Sequence, residues 1–115
     1  MTVRNGYAEY GVPAGYYDRN GEPIELLHWA DLTKNNAYRL VAYNDFRAAG
    51  FVSTVWRGVP MPTLMPPPGL IFETMVFMPD SVLNRRQWGH ATLDQAIEVH
   101  DMVALSVWQE ITHRD

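Results

Sequence analysis

The chain has no cysteine, which removes disulfides, thiolate nucleophiles and cysteine-containing zinc sites from its chemistry. Also lacking is any apolar run near the ~20 residues that span a bilayer, and the opening MTVRNGYAEYGVPAG has no apolar core of signal-peptide length. A soluble, unexported protein with no membrane partner is expected. Basic charge is thin: nine Lys and Arg against thirteen Asp and Glu give a net charge of −4, and none of the nine falls between Arg86 and Arg114. No nucleic-acid partner is expected, because a polyanion needs a basic face to neutralise it. Catalytic signatures are missing too. There is no glycine-rich phosphate loop, no G-x-S-x-G elbow and no H-E-x-x-H, and the three serines, Ser53, Ser81 and Ser106, lie in no activating setting. No cofactor is expected.

What is present describes a globular domain. Hydrophobic residues make up 47% and charged ones 19% of the 115 residues, a balance that folds rather than remaining disordered. A single domain of this size buries roughly two thirds of its unfolded surface without metal or disulfide. Residues 1 to 15, rich in Gly and Tyr and without a sustained period, read as an extended or flexible arm ahead of a domain over 16–115.

Within the domain, Asn20-Gly21 marks a tight turn, and Pro23 suits the first turn of a short helix from about Ile24 to Thr33. Alternation then predicts strands at Ala37 to Tyr43, Phe51 to Arg57 and Leu70 to Met78, separated and followed by turn-rich sequence. A polar link with Arg85, Arg86 and Trp88 leads to the clearest helix signal in the chain. Thr92 and Gln95 form a capping box, and Leu93, Ala96, Ile97, His100, Ala104, Val107, Trp108 and Ile111 fall on one stripe running to about Gln109. The expected fold is α+β in the order αβββα, a three-stranded antiparallel sheet with the long C-terminal helix packed on it. That order invites comparison with double-stranded-RNA-binding domains, whose second helix must be basic; here it is acidic. A bare second sheet face, carrying Val52, Trp56, Phe72 and Val76, is the expected seat of a homodimer.

Several residues are candidates for chemistry. His100 sits at the centre of the apolar stripe and needs a partner if buried. Glu73, the single acid inside the third strand, is one candidate, which makes Glu73 and His100 either an acid–base pair or a structural one. Glu73 has a competing partner in Arg39, Arg57 or Tyr43 on neighbouring strands. His90 and His100 stand too far apart in sequence for a compact His-x3-His zinc face, so no metal is expected. The loop Gly58 to Gly69 holds five prolines with Met61, Leu64 and Met65 between them. Proline lowers the entropy lost on docking and methionine adapts to uneven apolar surfaces. The segment therefore reads equally as a recognition loop or as a flap over the protein's own core.

The segments Tyr17-Asp18-Arg19-Asn20-Gly21-Glu22-Pro23-Ile24, Ser53-Thr54-Val55-Trp56-x-Gly58 and Pro68-x-Leu70-Ile71-Phe72-Glu73-Thr74-Met75-Val76-Phe77 together resemble a family of small proteins encoded by tailed phages of actinobacteria. Trp88, Thr92, Ala96 and His100 continue the resemblance, which covers roughly residues 16 to 108. Two departures stand out: the family's loop is Gly-rich with a histidine where this one is rich in Pro and Met, and Val99 stands where a glycine commonly precedes the helical histidine. The resemblance implies no activity. It implies a phage origin and, as cellular setting, the cytoplasm of an infected bacterium.

The leading expectation is a non-enzymatic accessory protein that binds a host protein through Met61, Leu64 and Met65. A second is a sponge for a nucleotide signal of host defence, with Trp56 or Trp88 stacking on a base and Arg57, Arg85 or Arg86 meeting phosphate. A minor virion component and a small enzyme using His100 and Glu73 are the remaining alternatives.

Overall fold

The computed structural model describes residues 15–113, and the expected N-terminal arm lies almost wholly outside the described residues. Two layers form the domain: a four-stranded antiparallel sheet and one long helix crossing one of its faces. In chain order the elements are β1 (Tyr16–Tyr17), β2 (Pro23–Ile24), α1 (Leu26–Thr33), α2 (Asn36–Arg39), β3 (Leu40–Asp45), β4 (Phe51–Trp56), β5 (Phe72–Phe77), β6 (Gln87–His90) and α3 (Leu93–Thr112). The main sheet runs β3-β4-β5-β6, with β3 and β6 at its edges, and β1 and β2 make a separate two-stranded ribbon.

The α+β class is as expected, but a single three-stranded sheet is not what forms. The fourth strand, β6, lies in the stretch read as a polar link. Its QWGH sequence lacks an apolar period because Gly89 must be bare: a Cβ there would lie 2.7 Å from Met61 Sδ and 3.0 Å from Leu70 Cδ1. Pro23 begins no helix. It sits in β2, whose ribbon is closed by a turn in which Asp18 Oδ1 accepts from the amides of Asn20 and Glu22, with Gly21 at φ +81°. Residues expected to start the first main strand instead form the single turn α2, capped by Asn35 Oδ1 accepting from Tyr38 N at 3.2 Å.

Alternation decides which side chains meet α3. Val52, Thr54 and Trp56 of β4 stand opposite Val76, Thr74 and Phe72 of β5, and all six are buried. The expected bare face therefore carries other residues, and Val52, Trp56, Phe72 and Val76 are core. The opposite face shows Tyr43, Phe51 and Phe77 as a ladder of rings, with centroids 5.3 Å and 4.7 Å apart. On α3 the buried residues are Ala96, His100, Val103, Ala104 and Val107. Ile97 and Trp108 of the expected stripe lie out on its flank, 40% and 53% exposed.

The apolar core is in two parts. Tyr17, Trp56, Ile71, Phe72 and Ala96 make one cluster, joined by Trp29 and Tyr38 from α1 and α2. Val52, Val76, Met78, Val103 and Val107 make the other. Between them, on β4, β5 and α3, stand Thr54, Thr74 and His100.

Candidate functional site

A polar side chain in the middle of a core has to find a partner, since an unsatisfied buried donor or acceptor costs ~1–3 kcal/mol. Here each partner lies on a different element. His90 Nε2 is 2.8 Å from Thr74 Oγ1, Thr74 Oγ1 is 2.6 Å from Thr54 Oγ1, and Thr54 Oγ1 is 2.7 Å from His100 Nδ1. His100 Nε2 then reaches Asn44 Oδ1 at 2.7 Å. The five groups form one continuous chain across β6, β5, β4, α3 and back to β3.

The direction of the hydrogen bonds follows from its ends. A carbonyl oxygen only accepts, so His100 donates from Nε2 to Asn44 Oδ1. Burial holds both His90 and His100 below the ordinary imidazole pKa, with the Asp101 charge opposing the shift at His100 only in part. With its proton on Nε2, the neutral His100 ring accepts at Nδ1 from the Thr54 hydroxyl. Thr54 in turn accepts from Thr74, and Thr74 accepts from His90 Nε2–H. Every hydroxyl in the chain both gives and receives one hydrogen bond. This arrangement leaves neither nitrogen of His100 for a substrate, and neither is bonded to an acid.

The expected Glu73–His100 pair does not form. Glu73 precedes Thr74 on β5, so its side chain emerges on the other face, half-buried and 3.9 Å from Arg57 Nη1. That is the competing ion pair across the sheet. A pair this long and this open to water contributes little.

The remaining candidates separate in the same way. Trp56 is 1% exposed and donates its indole N–H to Tyr17 O at 3.0 Å, so no base can stack on it. Trp88 is half-buried against the second core cluster. The proline loop divides into a fixed base and a free tip. Its ends are tied by Arg57 N and Gly58 N to Ile71 O, and by Met61 N to Leu70 O. Gly58, at φ +71°, lets the chain turn directly under Trp56 and Trp29, where a Cβ would lie 2.4 Å from one ring and 2.7 Å from the other. Pro60 is buried, Met61 packs on Gly89, and Met65 is half-buried. Leu64, at the tip, is 80% exposed.

Sequence reasoning missed Asn44, Thr54 and Thr74, and weighed His90 only as a metal ligand. Thr54 and Thr74 did leave a signal: each is the one polar residue in the buried phase of its strand.

Two hollows adjoin these features. One, of about 370 Å³, lies between β3 and α3 and is lined by Asn44, Phe46, Asp101, Ala104, Leu105 and Trp108. The other, of about 360 Å³, lies at the start of α3 and is lined by both Arg19 and Asp94. Arg19 also stacks over the Tyr38 ring at 5.5 Å. No three His, Asp or Glu come together as metal ligands among the described residues, and no helix there is long and apolar enough to cross a membrane.

Comparison with protein families, with curated proteins and with solved structures gives no match to this chain.

Proposed function

We propose that this chain is a phage-encoded, non-enzymatic accessory protein that acts in the cytoplasm of the infected bacterium by presenting the tip of its proline loop to a host protein. The observation that carries the reading is Leu64: a large apolar side chain, 80% exposed, on a loop whose base is hydrogen-bonded and packed at both ends. A flap serving only its own core would bury that side chain. Prolines on either side restrict the loop before it docks, which lowers the entropy cost of binding. Burying one leucine contributes about 1.5–3 kcal/mol, roughly ten- to a hundredfold in affinity. His100 supports the non-enzymatic part of the reading, since Thr54 and Asn44 take up both its ring nitrogens.

The test compares wild type with Leu64→Ser/Met65→Ser in capture from host extract, followed by calorimetric titration of the captured protein after its purification. The double variant should melt with the wild type and lose at least tenfold in affinity. Equal affinity would remove the loop from the function. A small molecule retained in native mass spectra of gently purified protein would replace this reading with ligand binding.

A further inference from the structure

The hydrogen-bonded chain through the core has a direction, and its middle works in either one. Each threonine hydroxyl gives one bond and receives one, so it serves equally with both reversed. The two ends differ. His100 Nε2–H is held by Asn44 Oδ1, on an exposed side chain that lines the hollow between β3 and α3. At the other end His90 bonds only through Nε2. Its Nδ1 meets water, since among the described residues the one buried side-chain nitrogen or oxygen without a partner is Arg19 Nε. Between the ends the chain is closed to solvent: Thr54 and Thr74 are fully buried and His100 is 1% exposed.

We propose that these five groups form a relay that stores one proton, taken up from water at His90 Nδ1 and held as charge on His100 behind the wall of the hollow. As His90 Nδ1 gains a proton, its Nε2–H bond breaks and that proton passes to Thr74 Oγ1. Thr74 releases its own proton to Thr54 Oγ1, and Thr54 releases its own to His100 Nδ1, across links of 2.8, 2.6 and 2.7 Å. Each hydroxyl breaks one O–H bond and forms one, so both end neutral. His90 also ends neutral, with its proton on Nδ1. Every hydrogen bond survives: His100 now gives to Thr54, Thr54 to Thr74 and Thr74 to His90 Nε2, while His100 still gives to Asn44. A second proton finds no such arrangement. With both rings charged, each inner nitrogen donates to a threonine, one hydroxyl donates to the other, and the last O–H has no acceptor among the five groups. Two like charges would also face each other across three hydrogen bonds, so the rings titrate as a pair. Of the elements packed around them, β4 carries no titratable group, Tyr43 and Asp45 of β3 and Glu73 of β5 lie in the opposite phase on the open face, and β6 offers His90 itself. On α3, Asp94, Glu98 and Glu110 accompany Asp101, whose charge favours a charged His100 and does not act on His90. The stored charge therefore settles on His100. In acid the hollow gains a positive charge behind Asn44 while the fold keeps every bond of the chain.

The experiment is nitrogen NMR of both rings in the full chain, titrated from neutral pH down to the acid limit of the folded state, for wild type, Asp101→Asn, Thr54→Ser and Thr54→Val. In wild type His90 should stay neutral yet move its proton from Nε2 to Nδ1 over the same pH range in which His100 becomes an imidazolium. The folded pair should take up one proton, where two independent rings would take up two. Asp101 is exposed, and Asp101→Asn removes a charge that acts on His100 alone, so it should lower the midpoint of both events by the same amount. Thr54→Ser keeps the oxygen and should keep the coupling. In Thr54→Val the His90 proton should no longer respond to His100; should that variant fail to fold, Asp101→Asn still decides. A His90 that keeps its proton on Nε2 while His100 charges, a first proton that stays on His90, a folded state with both rings charged, midpoints that part in Asp101→Asn, or a pair that binds no proton before unfolding would overturn the proposal. Leu64 takes no part in the relay, so the loop reading and this one fail separately.

Discussion

Replacing Thr54 with valine keeps the size and β-branching of the side chain and deletes one oxygen. The hydroxyl it removes lies at the centre of the buried chain, 2.6 Å from Thr74 and 2.7 Å from His100. Two groups lose partners at once: Nδ1 of His100 loses its donor, and the Thr74 hydroxyl loses its acceptor. Both residues are 1% exposed or less, so water does not replace what is lost. At ~1–3 kcal/mol for each orphaned group, offset by about 1 kcal/mol from burying a methyl in place of a hydroxyl, Thr54→Val should cost about 1–5 kcal/mol. In a domain of this size that lowers Tm by roughly 4–20 °C. Thr54→Ser, which keeps the oxygen, should cost only about 1 kcal/mol for the lost methyl. The double variant Thr54→Val/Thr74→Val again orphans two groups, now Nδ1 of His100 and Nε2–H of His90. It should therefore be little worse than Thr54→Val alone, a non-additivity of about 2 kcal/mol. Urea unfolding of wild type, these three variants and Thr74→Val measures all of this. A Thr54→Val stability within about 0.5 kcal/mol of wild type, or a double variant equal to the sum of the singles, would mean that the five groups are not coupled through Thr54.

Acid should act on the same chain. His90 and His100 have folded pKa values below the ordinary 6.5, so below that value the unfolded chain binds more protons. Their contribution is whole above about pH 6.5 and is lost as pH falls, by up to about 1.4 kcal/mol per unit for each histidine until its folded pKa is passed; urea midpoints across that range check it. Nitrogen NMR at pH 7 should find both rings neutral with the proton on Nε2, and a ring titrating at or above 6.5 would contradict the assignment. Gly58→Ala should destabilise by more than about 2 kcal/mol, since its Cβ would strike the rings of Trp56 and Trp29 at a positive φ; thermal melting reads this directly. Ser81→Ala removes the 2.6 Å hydrogen bond to Glu110 Oε2 that ties the turn after β5 to the last turns of α3, and should cost about 1–2 kcal/mol in the same assay.

The elements legible in the sequence are those whose own residues decide them. The capping box of α3 is real, with Thr92 Oγ1 accepting from Gln95 N at 3.1 Å, although Gln95 reaches back to Ala91 N rather than to Thr92. β4 and β5 appear within two residues of their expected limits because alternation and β-branching agree there. β6 was illegible because its glycine answers to Met61 and Leu70, which are distant in sequence. The His100 partner was misread for a similar reason. Glu73 is the conspicuous acid of β5, but the register turns Thr74 inward and Glu73 outward, and register is a property of strand pairs rather than of either strand. Ile97 and Trp108 follow the helical period of the core yet sit on an open flank, because the edge strand β3 leaves that side of α3 uncovered.

The hydrogen-bonded chain through the core also polices strand alignment. Apolar neighbours would tolerate β4 sliding along β5 by two residues, since valine, tryptophan and phenylalanine would still face the helix. Thr54 and Thr74 would not: displaced by one pair, each hydroxyl would face a hydrocarbon, and His90 and His100 would be left holding donors and acceptors that nothing nearby can meet. Only one alignment satisfies all five groups. In a small sheet whose two central strands are both rich in interchangeable apolar residues, the costliest contents of the core are what make every other packing more expensive than this one.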